Sequence, residues 1–308
     1  RTEIWNAIHE FSMKLICLSP AEFIHFGTTR ELRQLVTQDV QDYEFLDWKM
    51  QVNSAVTGEG FAAHNAYVGR RAKVEAGAYV ENAYVIGNSK VGAGAVLSHV
   101  RVCDRSVPED IVLHGAELRD GRHVVRIYGV QFIPKGCYPG ETAFLGNTLE
   151  EMMDRNGVKP EDLWDDDETY LWFARLYPVC STHEEALDAA DILYRMACGT
   201  ASEAEIKAWR ESERMSLYSS FNETDISAAH TWEGELENRI LTRRFIWALE
   251  DGQYYRDALE IFGKRGISED IFHLLLKDAE EADFSLRIRI YYALSRYMKH
   301  EGKVFEDQ

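Results

Sequence analysis

The sequence predicts an α+β chain in which a parallel β-helix of hexapeptide repeats follows the tail of an α/β unit and precedes an all-α helical domain. Three observations predict it. An aliphatic residue recurs at every sixth position from Val56 to about Leu118, the spacing becomes helical from about residue 148 onward, and the first 50 residues read as short apolar runs alternating with helix-start signals. The predicted units are 1–50, the tail; 51–147, the β-helix and a transition loop; and 148–308, the helical domain.

In the first unit, Trp5, Ile8, Phe11 and Met13 lead into Leu15-Ile16-Cys17-Leu18, a helix-to-strand pattern with nothing ahead of it, so the chain reads as the C-terminal portion of a longer protein. Phe23-Ile24-His25-Phe26 is a short apolar strand, and Gly27-Thr28-Thr29-Arg30-Glu31 turns it into a helix. Thr28 and Glu31 stand at capping-box spacing, which places the helix start at the turn.

In the second unit, Val56, Ala62, Val68, Val74 and Val80 fall in step; the beat shortens by one residue and resumes at Val85, Val91 and Leu97. Neither the helical period of 3.6 nor the strand period of two explains this spacing. Each hexad is expected to form one short strand and corner of a triangular prism, with about eighteen residues per coil and three to four regular coils. A strand-like Val124 to Phe132 and a loop rich in Pro and Gly lead to the third unit.

There, Thr148 with Glu151, Ser181 with Glu184 and Ser202 with Glu205 repeat the capping-box spacing, and Gly157 and Gly199 sit where helices would stop. Segments near 232–251, 254–262, 268–282 and 284–299 read as further helices. Asp165-Asp166-Asp167-Glu168 reads as a solvated helix start, because four consecutive carboxylates do not share one helix face. Gly263-Lys264-Arg265-Gly266 lacks the surroundings of a phosphate loop and reads as a turn.

A formal charge of −18 argues against a nucleic-acid polymer as partner, although it leaves nucleotides open. Five cysteines, without Cys-x-x-Cys spacing, fit free thiols in a reducing, cytoplasmic setting. No apolar run approaches the roughly twenty residues that cross a bilayer, so no membrane partner is expected. The flat sides of a prism suit self-association, and a homo-oligomer through the β-helix or the helical domain is expected.

The turn from Phe23 to Leu32 resembles the end of a sugar-1-phosphate nucleotidyltransferase domain, a superfamily in which a left-handed β-helix often follows. Together with Asn53-Ser54 and the stretch Asp162 to Ser181, it resembles the GDP-fucose pyrophosphorylase (L-fucose-1-phosphate guanylyltransferase) family, found alone or fused to L-fucokinase. Leu171-Trp172-Phe173-Ala174-Arg175-Leu176-Tyr177-Pro178-Val179 is similar to that family's Leu-Trp-x-Ala-x-Leu-Phe-Pro-Val signature. The resemblance implies transfer of GMP from GTP to fucose 1-phosphate, with nucleotide and sugar phosphate as ligands and Mg²⁺ as cofactor of the full-length enzyme.

The family's metal-binding aspartate falls on His25, a poor match for Mg²⁺, so no metal ligand is assigned in this portion. The sugar-side edge is expected at His25, Gly27, Thr28, Thr29 and Arg30, with no catalytic residue here and no cofactor held by this portion alone. No Gly-x-x-x-x-Gly-Lys-[Ser/Thr] pattern occurs, so the portion is expected to be inactive by itself and to serve structure or assembly. Arg175, among Trp172, Leu176 and Tyr177, is expected in a buried or interfacial ion pair. Two other classes compete. A hexapeptide acyltransferase would use His64, His99 or His114 as general base; a non-catalytic scaffold would use the prism and helices for assembly, for instance against a fucokinase domain.

Overall fold

The computed structural model describes residues 2–9, 27–132, 140, 142–165 and 169–301. Helix α1 spans Thr2–Ile8; the strand expected at Phe23–Phe26, with His25, lies outside the described residues. Helix α2 (Thr29–Thr37) begins as its sequence predicts. The Thr28 hydroxyl accepts from the Glu31 amide, and the Glu31 carboxylate accepts from the amides of Thr28 and Gly27. Arg33 ties α2 to the next unit by donating to the Gly94 carbonyl at 3.0 Å and pairing with Asp110.

That unit is a parallel β-solenoid of about three turns. Its strands are β1 (Gln51–Val52), β2 (Ala62–His64), β3 (Tyr67–Val68), β4 (Lys73–Val74), β5 (Tyr79–Glu81), β6 (Tyr84–Ile86), β7 (Lys90–Val91), β8 (Val96–Ser98), β9 (Arg101–Cys103) and β10 (Ser106–Val107). They stack as β1-β2-β5-β8, β3-β6-β9 and β4-β7-β10. Register sets the regular coil at 17 residues: Ala63 lies over Val80 and Val80 over Leu97, while Val68 lies over Val85 and Val85 over Val102; the last coil is shorter by one, with Val107 over Val91 and Val112 over Val96.

The expected coil of about eighteen is therefore one residue too long. The five-residue step at Val80 to Val85 recurs, from Ala63 to Val68 and from Leu97 to Val102, and Ala63 rather than Ala62 is the residue packed in the main core. Val68, Val80, Val85, Val91, Leu97 and Val102 are fully buried, which is why these positions must be aliphatic.

The chain turns corners with left-handed backbone, which Asn, Asp and Gly tolerate best. Asn65, Asn82 and His99 occupy one corner of successive coils at φ 44°, 45° and 51°. Asn65 Nδ2 donates to Asn82 Oδ1 at 2.8 Å, making a short amide ladder.

Strand β11 (Ile111–Glu117) extends the first stack and pairs antiparallel with β12 (His123–Gly129), so a hairpin closes the end of the solenoid. This closure hides a sheet edge that would otherwise invite pairing with another chain.

The helices that follow are α3 (Leu149–Asn156), α4 (Pro160–Leu163), α5 (His183–Cys198), α6 (Glu203–Glu211), α7 (Leu217–Glu223), α8 (Ile226–Glu250), α9 (Tyr255–Leu259), α10 (Glu269–Glu281) and α11 (Phe284–Glu301). Capping boxes at Thr148 and Ser202 stand where expected, whereas α5 is capped by Thr182 with Glu185, one residue beyond the predicted Ser181 and Glu184. Gly157 and Gly199 end α3 and α5 in left-handed conformation, where a side chain would strain the backbone.

The residues inside the solenoid and the helices as far as Leu217 share one apolar core, while α8 to α11 build a second one. Helix α8 lies along the solenoid corner. Trp232 Nε1 donates to the Asn82 carbonyl at 2.7 Å, Asn65 Nδ2 donates to the Glu233 carbonyl, and the Glu233 carboxylate takes Asn82 Nδ2 and faces His99 Nε2 at 3.1 Å. No helix among the described residues is long and apolar enough to cross a membrane.

Candidate functional site

A cavity of about 400 Å³ opens between the start of α2 and the closing hairpin. Gly27, Thr28 and Thr29 form one rim. Arg126 and Tyr128 from β12 and His114 from β11 form the opposite wall, and Phe132, Trp172, Leu217 and Phe221 supply apolar and aromatic surface. Three of the predicted residues, Gly27, Thr28 and Thr29, thus come together; Arg30 is exposed and does not line the cavity, and His25 lies outside the described residues.

Arg126 is the residue that the reading of the sequence missed. It sits in β12 between Val125 and Ile127, both buried, and is itself only 2% exposed. Its Nε donates to Ser220 Oγ at 2.9 Å, one terminal nitrogen donates to Thr224 Oγ1 at 2.9 Å, and the other lies 3.3 Å from His114 Nδ1. The hydroxyls of Ser220 and Thr224 donate backward to the carbonyls of Leu217 and Ser220, which leaves their lone pairs for the guanidinium. A lone arginine inside the apolar run His-Val-Val-Arg-Ile-Tyr was the available signal.

Burial, then the charge of Arg126 and the ring of His99, hold the His114 imidazole well below the ordinary histidine range, at about 3. It is neutral near pH 7 and serves as an acceptor for Arg126. Such a ring is a poor general base, and His99 is engaged by Glu233 and Ser98. Behind His114 a smaller cavity of about 100 Å³ is lined by His99, His123, His183 and Trp232. His183 is pushed down to about 4, first by burial and then by His123, Arg101 and Arg105, and its Nε2 accepts from the Arg101 amide at 3.0 Å.

The Tyr177 hydroxyl is fully buried without a hydrogen-bond partner among the described residues, and its ionisation is pushed up by burial, then by Tyr128, against the opposing pull of Arg126. Arg175 pairs with Asp165 as expected, but the pair lies at the surface rather than buried, the Asp165 side chain being 86% exposed. The Gly263 to Gly266 segment is a bend between helices, with φ of 49° and 64° at its two glycines. Asp166, Asp167 and Glu168 lie outside the described residues.

Mg²⁺ seeks carboxylate and phosphate oxygens. Among the described residues lining the cavity there is no Asp or Glu, and the described residues contain no group of three or more His, Cys, Asp or Glu arranged to hold a metal. The residues present do not fit that ion by themselves.

The family model described as the fucose pyrophosphorylase domain matches residues 1–182, more than half of the chain. No curated protein and no solved structure matches it. The matched span contains the Gly27–Thr29 rim, Arg126 and Trp172, and the chain belongs to the fucose pyrophosphorylase family, which supports a nucleotidyltransferase-type role on a sugar nucleotide.

Proposed function

We propose that this chain forms the sugar-phosphate side of an L-fucose-1-phosphate guanylyltransferase, which transfers GMP from GTP to L-fucose 1-phosphate and releases pyrophosphate. One observation carries the reading. The Gly27-Thr28-Thr29 turn and Trp172, which lie more than 140 residues apart and carry the family resemblance, line the same cavity. Residues 1–50 act as the tail of a nucleotide-binding unit supplied by a longer protein, 51–147 as a rigid strut, and 148–308 as a helical buttress. Mg²⁺ belongs to the nucleotide side, held by groups other than those lining this cavity.

In the reaction the sugar phosphate oxygen attacks the α-phosphorus of GTP, a new P–O bond forms, and pyrophosphate departs with the electrons of the broken bond. The contribution of this chain is to hold the attacking phosphate and shield it from water. The test is pyrophosphate release by the full-length protein given GTP and fucose 1-phosphate. Activity is expected there and absent from residues 1–308 alone, and Trp172→Ala in the full-length protein should raise KM for the sugar phosphate more than it lowers kcat. A full-length protein inert toward both substrates would sink the reading.

A further inference from the structure

Arg126 stands apart from the other buried or half-buried arginines in what balances its charge. Arg33, Arg105, Arg239 and Arg243 each meet a carboxylate, on Asp110, Asp188 and, for the last two, Asp278. Arg214 meets none, yet its guanidinium is ringed by backbone carbonyls of Asp162, Arg175, Trp209 and Arg210, as a purely structural arginine would be. Arg126, more buried than any of these, forms no ion pair and donates to no carbonyl among the described residues; its partners are two hydroxyls, a neutral imidazole and the face of Phe221, whose ring centroid lies 5.9 Å from its guanidinium carbon.

An unpaired charge removed from water is costly, and a guanidinium does not escape by losing its proton. The guanidinium carries five N–H donors, of which three are used, leaving two, one on each terminal nitrogen. It lines an open cavity whose lining residues include no Asp or Glu, while the amides of Gly27 and Thr28 on the far rim are already taken by the Glu31 carboxylate. The Tyr177 hydroxyl, fully buried, has no hydrogen-bond partner among the described residues, but it does not line this cavity.

We propose that Arg126 is the anchor of an anion site, and that its ligand is the phosphate of a small phosphate monoester whose organic part lies against Trp172, Tyr128 and Phe221. Two free donors on one planar group match the bidentate geometry by which arginine takes phosphate oxygens. The aromatic walls suit the apolar face of a sugar ring. The phosphate part of the inference stands on the electrostatics alone, whereas the sugar part rests on the function proposed above.

The experiment is calorimetric titration of the chain with inorganic phosphate and with fucose 1-phosphate at fixed ionic strength, comparing wild type with Arg126→Met. Wild type is expected to bind both ligands, the ester at least tenfold more tightly, and Arg126→Met to lose at least tenfold for each. Failure of wild type to bind inorganic phosphate, or equal binding by the variant, overturns the site; equal affinity of wild type for the two ligands overturns the ester assignment. If Arg126→Met does not fold, phosphate titration of wild type is followed by tryptophan fluorescence. A saturable change that disappears in Trp172→Phe supports the site, and no change, or the same change in Trp172→Phe, overturns it. Arg126-dependent phosphate binding in a full-length protein that releases no pyrophosphate would uphold the site while removing the proposed reaction.

Discussion

Two neutral histidines make this protein acid-sensitive well above the range in which carboxylates titrate. His114 is held at about 3 and His183 at about 4, whereas in the unfolded chain both titrate near the ordinary value of about 6.5. Their folded pKa values are depressed, so the stability they contribute is complete above about pH 6.5. As pH falls from there toward 4 the unfolded chain gains protons that the folded one refuses, at up to about 1.4 kcal/mol per pH unit for each ring. At pH 5 this amounts to about 2 kcal/mol per histidine, and roughly 2–4 kcal/mol for the pair once the partial solvent contact of both rings is allowed for.

The carboxylates whose pKa values are lowered, among them Asp104, Asp120, Glu205 and Glu213, contribute stability that is present above their unfolded values near 4 and is lost only below them, which leaves this window to the histidines. The assay is urea unfolding at pH 7, 6 and 5, followed by tryptophan fluorescence. In the double variant His114→Gln and His183→Gln, which keeps acceptors in place, the loss between pH 7 and 5 should fall by at least half. A pH slope unchanged from wild type would refute the assignment of these rings.

Two further outcomes follow from packing. A Cβ placed on Gly92 would lie 2.5 Å from the Glu109 amide nitrogen and 2.7 Å from the Pro108 carbonyl carbon, so Gly92→Ala should cost roughly 2–3 kcal/mol. Gly129→Ala, whose nearest new neighbour is 4.0 Å away, should stay within about 0.5 kcal/mol, and equal urea midpoints for the two would contradict the close coil contact. Asp278, buried in the second core, takes Arg239 at 2.9 Å and Arg243 at 3.0 Å; Asp278→Ala strands both cations and should cost about 3 kcal/mol by denaturant unfolding, with a loss under about 1 kcal/mol arguing against it.

The solenoid was legible because each coil has so few inward-facing positions, and each of them must be aliphatic. Val68, Val85 and Val102 write the stack directly into the sequence. Helix starts were legible for another reason: Thr28 with Glu31 and Ser202 with Glu205 satisfy their own backbone within three residues, so no tertiary context is needed. The coil length was misjudged because a five-residue step looks like a single slip until register shows it recurring at the same corner. Arg126 was invisible as a site because its partners lie 94 and 98 residues away, at Ser220 and Thr224, and the Gly27 rim comes from before the solenoid. Nothing local in the chain announces that these three segments meet.

A coiled prism is in principle indifferent to how many coils it has, since each one rests only on its neighbours. Helix α8 removes that freedom. Glu233 alone touches the corner residues of three successive coils, its backbone carbonyl taking Asn65 and its carboxylate meeting Asn82 and His99, so one residue acts as a gauge of their spacing. Coils are separated by about 4.8 Å, and the helix advances about 1.5 Å per residue, so one coil corresponds to about three residues of α8 and not to a whole turn. Duplicating or deleting a coil would therefore rotate the wrong face of the helix toward the corner. Seventeen-residue insertions, which an isolated solenoid would absorb, should be rejected here, while insertions of a few residues at an exposed corner such as Gly58 to Gly60 leave the gauge untouched.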